Sequence, residues 1–122
     1  MSALRIGIAG LGTVGTGTVQ VIETHKELLS LRAGRDIDIV AVSARSRTLD
    51  RGIDISGFDW YDDPTLMADA DNIDLIVELI GGADGIAKAR VENALKDVNR
   101  RVCIDTWVNF HLTRQYGTGP DV

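Results

Sequence analysis

The 122 residues have the length of one domain, since domains commonly run to about 100–150 residues, and the expectation is a single domain rather than a two-domain enzyme. Hydrophobic residues make up 44% and charged residues 25%, a balance that buries a core and excludes a disordered tail or a fibrous repeat. Thirteen Lys+Arg against eighteen Asp+Glu leave a net charge of −5, which argues against nucleic acid as a partner, and no apolar run approaches the roughly 20 residues needed to cross a bilayer.

Residues 4–9 read LRIGIA, a short apolar run closed by Gly10, as suits a buried strand. Glycines follow at 10, 12, 15 and 17. Val14, Thr18, Val21, Ile22, His25 and Leu29 then recur at helical spacing, and Ala33-Gly34 supplies a C-terminal stop. The spacing predicts one helix from the glycine turn to Ala33, with His25 on its apolar stripe in a core or surface role. Neither His25 nor His111 has a partner at metal-ligand spacing.

Residues 37–42 form a second strand-like run that ends in Ser43-Ala44-Arg45-Ser46-Arg47. Residues 48–57 read as loop, 58–61 as a short strand, and Asp63-Pro64 as the cap and first position of a brief helix through Ala70. The same turn accounts for Asp59, Asp62 and Asp63 as caps and solvated loop, with no metal site implied. Residues 73–80, IDLIVELI, are apolar at nearly every position, the pattern of a parallel strand covered on both faces. Gly81-Gly82 stops it. Glu78 near its end is either a buried, hydrogen-bonded carboxylate or a group directed at a cleft.

From Gly85, the residues Ala87, Val91, Ala94, Leu95 and Val98 mark one face of an amphipathic helix, with Arg90, Glu92, Lys96 and Asp97 outward. Residues 101–105 make one more strand. Cys103 within it is the single cysteine, an inert buried thiol suited to a reducing cytoplasm. Periodicity then ceases. The chain divides into a dinucleotide-binding domain over residues 1–98 and a last strand with a loosely held, divergent tail over 99–122.

Strands alternating with helices through short connections imply an α/β fold with a doubly wound parallel sheet and right-handed crossovers. Gly10-Leu11-Gly12-Thr13-Val14-Gly15 fits GxGxxG, directly after a strand and directly before a helix. In that setting Gly10 permits the turn, Gly12 admits a pyrophosphate close to the backbone, and Gly15 lets the helix pack on the strand. A nicotinamide dinucleotide is the expected ligand. An acid at the end of the second strand favours NAD and an arginine favours NADP; here no acid occurs before Asp50. NADP is therefore favoured over NAD, with Arg45 as phosphate partner and Arg47 as second choice. Gly81 and Gly82, at the end of another strand, either admit the ribose or nicotinamide side of the same ligand or form a simple strand-terminating turn.

The runs IGIAGLGTVGTGTVQVI, AVSARSRTLDRG and DLIVELIGG, with VENALK after them, resemble the N-terminal nucleotide-binding domain of bacterial homoserine dehydrogenase, over residues 4–96. The resemblance implies a Rossmann-like fold and the NAD(P)-dependent interconversion of aspartate 4-semialdehyde and homoserine, an oxidoreductase step in threonine, methionine and isoleucine biosynthesis. It implies that Gly12, Thr13, Val14 and Gly15 cradle the pyrophosphate, that Arg45 meets the adenosine ribose, and that Gly81 and Gly82 lie toward the nicotinamide. The family's Thr-Ala-Asn-Lys motif is not repeated: Trp107 stands near the lysine's place, and no lysine follows Lys96. The expectation is a truncated domain with no catalytic residue of its own, which binds cofactor without turnover and whose uncovered sheet edge invites self-association. A nucleotide-sensing module, or the cofactor domain of another NAD(P) dehydrogenase, is the alternative.

Overall fold

The structure, a computed structural model, describes residues 3–80, 85–96 and 102–104. Five parallel strands form one sheet: β1 (Leu4–Ala9), β2 (Ile37–Ser43), β3 (Asp59–Tyr61), β4 (Leu75–Glu78) and β5 (Val102–Ile104). They lie in the order β3-β2-β1-β4-β5. The chain thus winds outward from β1 in one direction through β2 and β3, then returns to β1 and winds the other way through β4 and β5. The reversal falls between β1 and β4, where open sheets of this kind hold their ligands.

Helices α1 (Thr13–Thr24) and α2 (Lys26–Ala33) join β1 to β2; a 3₁₀ helix (Pro64–Asp69) joins β3 to β4; α3 (Gly85–Lys96) follows β4. Two apolar layers result, one on each face of the sheet. Ile6, Ile8, Ile39, Val42 and Leu79 pack with Leu11 and with Val19 of α1. Ala9, Ala41 and Ile76 pack on the other face with Met67 and Ala68 of the 3₁₀ helix, Ile73, and Val91 and Leu95 of α3.

Alternation along β1 sends Ile6 and Ile8 to the α1 face and Gly7 and Ala9 to the other. A Cβ on Gly7 would press on the terminal methyl of Met67, so that flexible side chain would have to shift to admit one. On β2 the pairing with β1 slips by one residue, Ile6 facing Ile39 and Gly7 facing Ala41. The slip is a β-bulge at Val40, and it reverses the phase of the strand. Ile39 and Val42 consequently share the α1 face although three residues apart, while Val40 and Ala41 both turn to the Met67 side.

At the N-terminal end of β1, the Arg5 amide and guanidinium donate to Asp74 at 2.9–3.0 Å, and the Asp74 amide donates to the Arg5 carbonyl at 2.8 Å. This ties β1 to the start of β4. The Arg5 side-chain hydrogen bond, seconded by its amide, holds the Asp74 carboxyl at a pKa of about 2, below its usual 3.8.

Three expectations need correction. The single first helix is two, because His25, with φ −109° and ψ 21°, breaks the ladder between α1 and α2. The buried face of α1 is also not the expected stripe: Gly15 and Val19 are buried, while Val14 and Val21 are about half exposed and His25 is exposed. Contact with the strand through Gly15 sets the rotation of the helix, and that constraint outweighs the count of apolar residues on a face. The brief helix after Asp63 is as expected and takes the 3₁₀ form over Pro64–Asp69, with Asp63 Oδ1 accepting from the Thr65 amide at 3.0 Å. Strand β4 is also shorter than the eight-residue apolar run, because its flanks Ile73, Leu79 and Ile80 serve the core as connecting segments.

Candidate functional site

A cleft of about 440 Å³ opens at the C-terminal ends of the strands, a volume within the roughly 300–1,000 Å³ usual for small-molecule sites. Its floor is the glycine turn, Gly10, Leu11 and Gly12. One wall is the chain leaving β2, Ser43 through Ser46, and the other is Leu79 and Ile80 leaving β4. Leu49 and Arg51 from the loop after β2, and Asp62 and Pro64 after β3, complete the rim.

Local hydrogen bonding fixes the floor. The Gly10 amide donates to the Ser43 carbonyl at 2.8 Å, while the Leu79 amide donates to the Ala9 carbonyl at 2.8 Å, so the exit from β1 is pinned on both sides. Gly10 has φ +102°, a conformation that side chains disfavour, and a Cβ there would stand 2.8–2.9 Å from the Leu79–Ile80 backbone. At Gly15 a Cβ would lie 1.8 Å from the Gly10 carbonyl oxygen, so α1 rests directly on the turn. Gly12 differs from both, because a Cβ there would meet nothing within 4 Å. Packing therefore demands glycine at 10 and 15, whereas at 12 the open space belongs to the cleft.

Gly12 is also the N-cap of α1. No side chain caps this end, and no acid lies in the first turn, which Thr13 and Val14 begin as exposed residues. The first-turn amides and the positive end of the helix dipole are left for an anion. Further along the helix, Thr16 Oγ1 donates to the Leu11 carbonyl at 3.0 Å, which holds the turn against the helix.

Arg45 lines the cleft; Arg47 is exposed and does not. Glu78 is fully buried, its Oε1 accepting from the Ile80 amide at 2.7 Å, so it braces the β4 wall as a hydrogen-bonded carboxylate. Gly81, Gly82 and the tail with Trp107 lie outside the described residues. The reading of Cys103 as a buried thiol lies outside them as well, its side chain being undescribed, although its backbone pairs with Ile76 on β4.

Arg51 and Asp62 are cleft residues that sequence reasoning missed. The Trp60 indole donates to Asp62 Oδ1 at 2.7 Å, and the Arg51 guanidinium lies 5.9 Å from the Trp60 ring centre. Asp62 had a usable signal, since it follows a strand's C-terminal end. Arg51 had only its place in a long loop beside the expected site. Among the described residues no three potential metal ligands gather, and no helix is long and apolar enough to cross a membrane. A second groove of about 650 Å³ beside α2, lined by Lys26, Glu27 and Arg35 among others, lies at the opposite end of β2 and carries no such glycine turn.

No family model matches the chain. Homoserine dehydrogenase of Neisseria gonorrhoeae is 36% identical over 117 residues, which cover 96% of this chain and 26% of that protein. Homoserine dehydrogenase of Methylobacillus glycogenes is 39% identical over 82 residues, 67% of this chain and 20% of that protein. The chain thus spans about a fifth to a quarter of the length of the relatives it matches. Among solved structures, a homoserine dehydrogenase from Thiobacillus denitrificans superposes with a TM-score of 0.69 at 32% identity, over 96% of this chain and 26% of that one. In both sequence and fold, the chain is similar to the N-terminal domain of the homoserine dehydrogenases.

Proposed function

We propose that the cleft binds NADP and that the chain is the cofactor-binding part of a homoserine dehydrogenase, the oxidoreductase that interconverts aspartate 4-semialdehyde and homoserine. The observation that carries this is Gly12: a residue whose missing side chain leaves open space, on the floor of the cleft, at an uncapped helix N-terminus. A pyrophosphate fits there because the backbone can approach it and the helix amides can donate to it. Likeness to homoserine dehydrogenases over nearly the whole chain supports the reaction.

In this reading the Gly12, Thr13 and Val14 amides hold the pyrophosphate, Gly10 and Gly15 keep the turn in shape, and Arg45 meets the 2′-phosphate at the adenosine end. Gly81 and Gly82, as expected from the sequence, serve the nicotinamide side. The bound cofactor would supply hydride exchange with the substrate. The chain's own residues bind and orient it, and the apolar Leu11, Leu79 and Ile80 restrict water beside it. Chemistry needs substrate held in near-attack geometry, which we assign to parts of a full-length enzyme that the 122 residues do not include; alone they bind without turnover.

Calorimetric titration with NADP⁺ and NAD⁺, beside a homoserine oxidation assay, tests this. Binding of NADP⁺ in preference to NAD⁺, weakened in Arg45→Ala and without turnover, is the expected result. Full NADP⁺ preference in Arg45→Ala would sink the assignment of Arg45, and turnover would overturn the division of labour.

A further inference from the structure

We propose that Arg51, in the loop between β2 and β3, is a second cation for the ribose 2′-phosphate and sets the preference for a phosphorylated dinucleotide; this rests on the reading that the cleft takes NADP. Three observations carry the inference. Arg51 lines the same cleft as Arg45, although five residues of loop separate them. Its guanidinium is held in place, with Nη1 donating to the Leu49 carbonyl at 3.3 Å and the Trp60 ring beneath it at 5.9 Å. Its Nε is buried and has no hydrogen-bond partner among the described residues.

The geometry of arginine gives these facts their meaning. With Nη1 on the loop carbonyl, the edge formed by Nε and Nη2 remains, and that edge is the fork that takes two oxygens of one phosphate. A buried donor left unpaired is costly, so a fold that keeps one beside a cleft gains when a ligand supplies the acceptor. The cleft's charges select the kind of ligand. Arg45 and Arg51 offer donors only, and among the described residues the one acid on the rim, Asp62, already accepts from the Trp60 indole. An unphosphorylated ribose would present hydroxyls to two cations; a phosphate would present oxygens to both. Trp60 is then a positioning residue, oriented by Asp62 and acting through Arg51.

The test is calorimetry on the full 122-residue chain with NADP⁺, NAD⁺ and 2′,5′-ADP, comparing the natural sequence with Arg51→Gln and Arg51→Lys, each checked by thermal melting. Arg51→Gln should weaken NADP⁺ and 2′,5′-ADP by roughly tenfold to a hundredfold, the loss expected for hydrogen bonds to a charged group, while NAD⁺ changes less than about twofold. Arg51→Lys should recover only part, because an ammonium keeps the charge and loses the fork. An unchanged NADP⁺ affinity in Arg51→Gln, or equal losses for NADP⁺ and NAD⁺, overturns the proposal. Should Arg51→Gln melt early, the ratio of NADP⁺ to NAD⁺ affinity in Arg51→Lys decides instead, and an unaltered ratio counts against Arg51. If the natural chain binds none of the three probes, the cofactor reading itself falls, an outcome distinct from failure of Arg51 alone.

Discussion

Replacing Gly15 with alanine adds a single methyl group, and the structure gives it no space. The new Cβ would lie 1.8 Å from the Gly10 carbonyl oxygen and 2.8 Å from its carbon, where even 3.0 Å forces something to shift. The obstacle cannot move aside, because it is backbone. Gly10 is held by its hydrogen bond to Ser43 and wedged against the Leu79–Ile80 backbone. Helix α1 must therefore retreat by more than an ångström, drawing Val19 away from the layer it shares with Ile8 and Leu11. Overpacking of this kind costs about 1–3 kcal/mol or more, offset by the ~0.5–1 kcal/mol that alanine gains over glycine inside a helix. A net loss of about 2 kcal/mol lowers the melting temperature of a domain this size by roughly 8 °C. Gly17→Ala, two residues on in the same helix, meets nothing within 4 Å and should instead raise it by a few degrees. Thermal melts of both variants followed by far-UV circular dichroism make the comparison. Equal melting temperatures for the two would refute the claim that α1 rests on the turn through Gly15.

Gly12→Ala has the opposite character: its methyl enters the cleft, so stability should change by under about 1 kcal/mol while NADP⁺ affinity drops by roughly tenfold or more, read by calorimetry on a chain that still melts cooperatively. The Arg5–Asp74 tie adds a pH dependence. Because the folded Asp74 carboxyl sits at about 2 rather than 3.8, the unfolded chain binds more protons in that window, and the stabilisation present above it is lost as pH falls from 3.8 toward 2. Denaturant titrations across that range should show the loss, and Asp74→Asn should remove this part of it; an unaltered acid slope in the variant would contradict the assignment.

The glycine turn was legible in the sequence because each of its positions answers to backbone geometry, which a residue type reports directly. Strand β1, the start of β2, the Asp63 cap and the buried Val91 and Leu95 of α3 were legible for a similar reason, since local pattern alone specifies them. The rotation of α1 was not, because one contact between Gly15 and Gly10 overrides the apolar count that favoured Val14 and Val21. The bulge at Val40 also left no trace, as it is defined only by the partner strand. At the site, Arg45 could be placed from its distance to a strand end. Asp62, just after β3, could have been placed in the same way, whereas Arg51 reaches the cleft through the path of a loop and its position over Trp60, which spacing does not write.

The central claim, that the glycine turn at the β1 end holds a nicotinamide dinucleotide, is tested most directly by mapping amide chemical shifts of the isotope-labelled chain as NADP⁺ is added. The account predicts the largest changes at residues 10–14, with further changes at 43–46 and 79–80, and none at the groove around residues 26–36. Saturating NADP⁺ that leaves the amides of Gly12 and Thr13 unmoved, or that shifts the α2 groove instead, would contradict it.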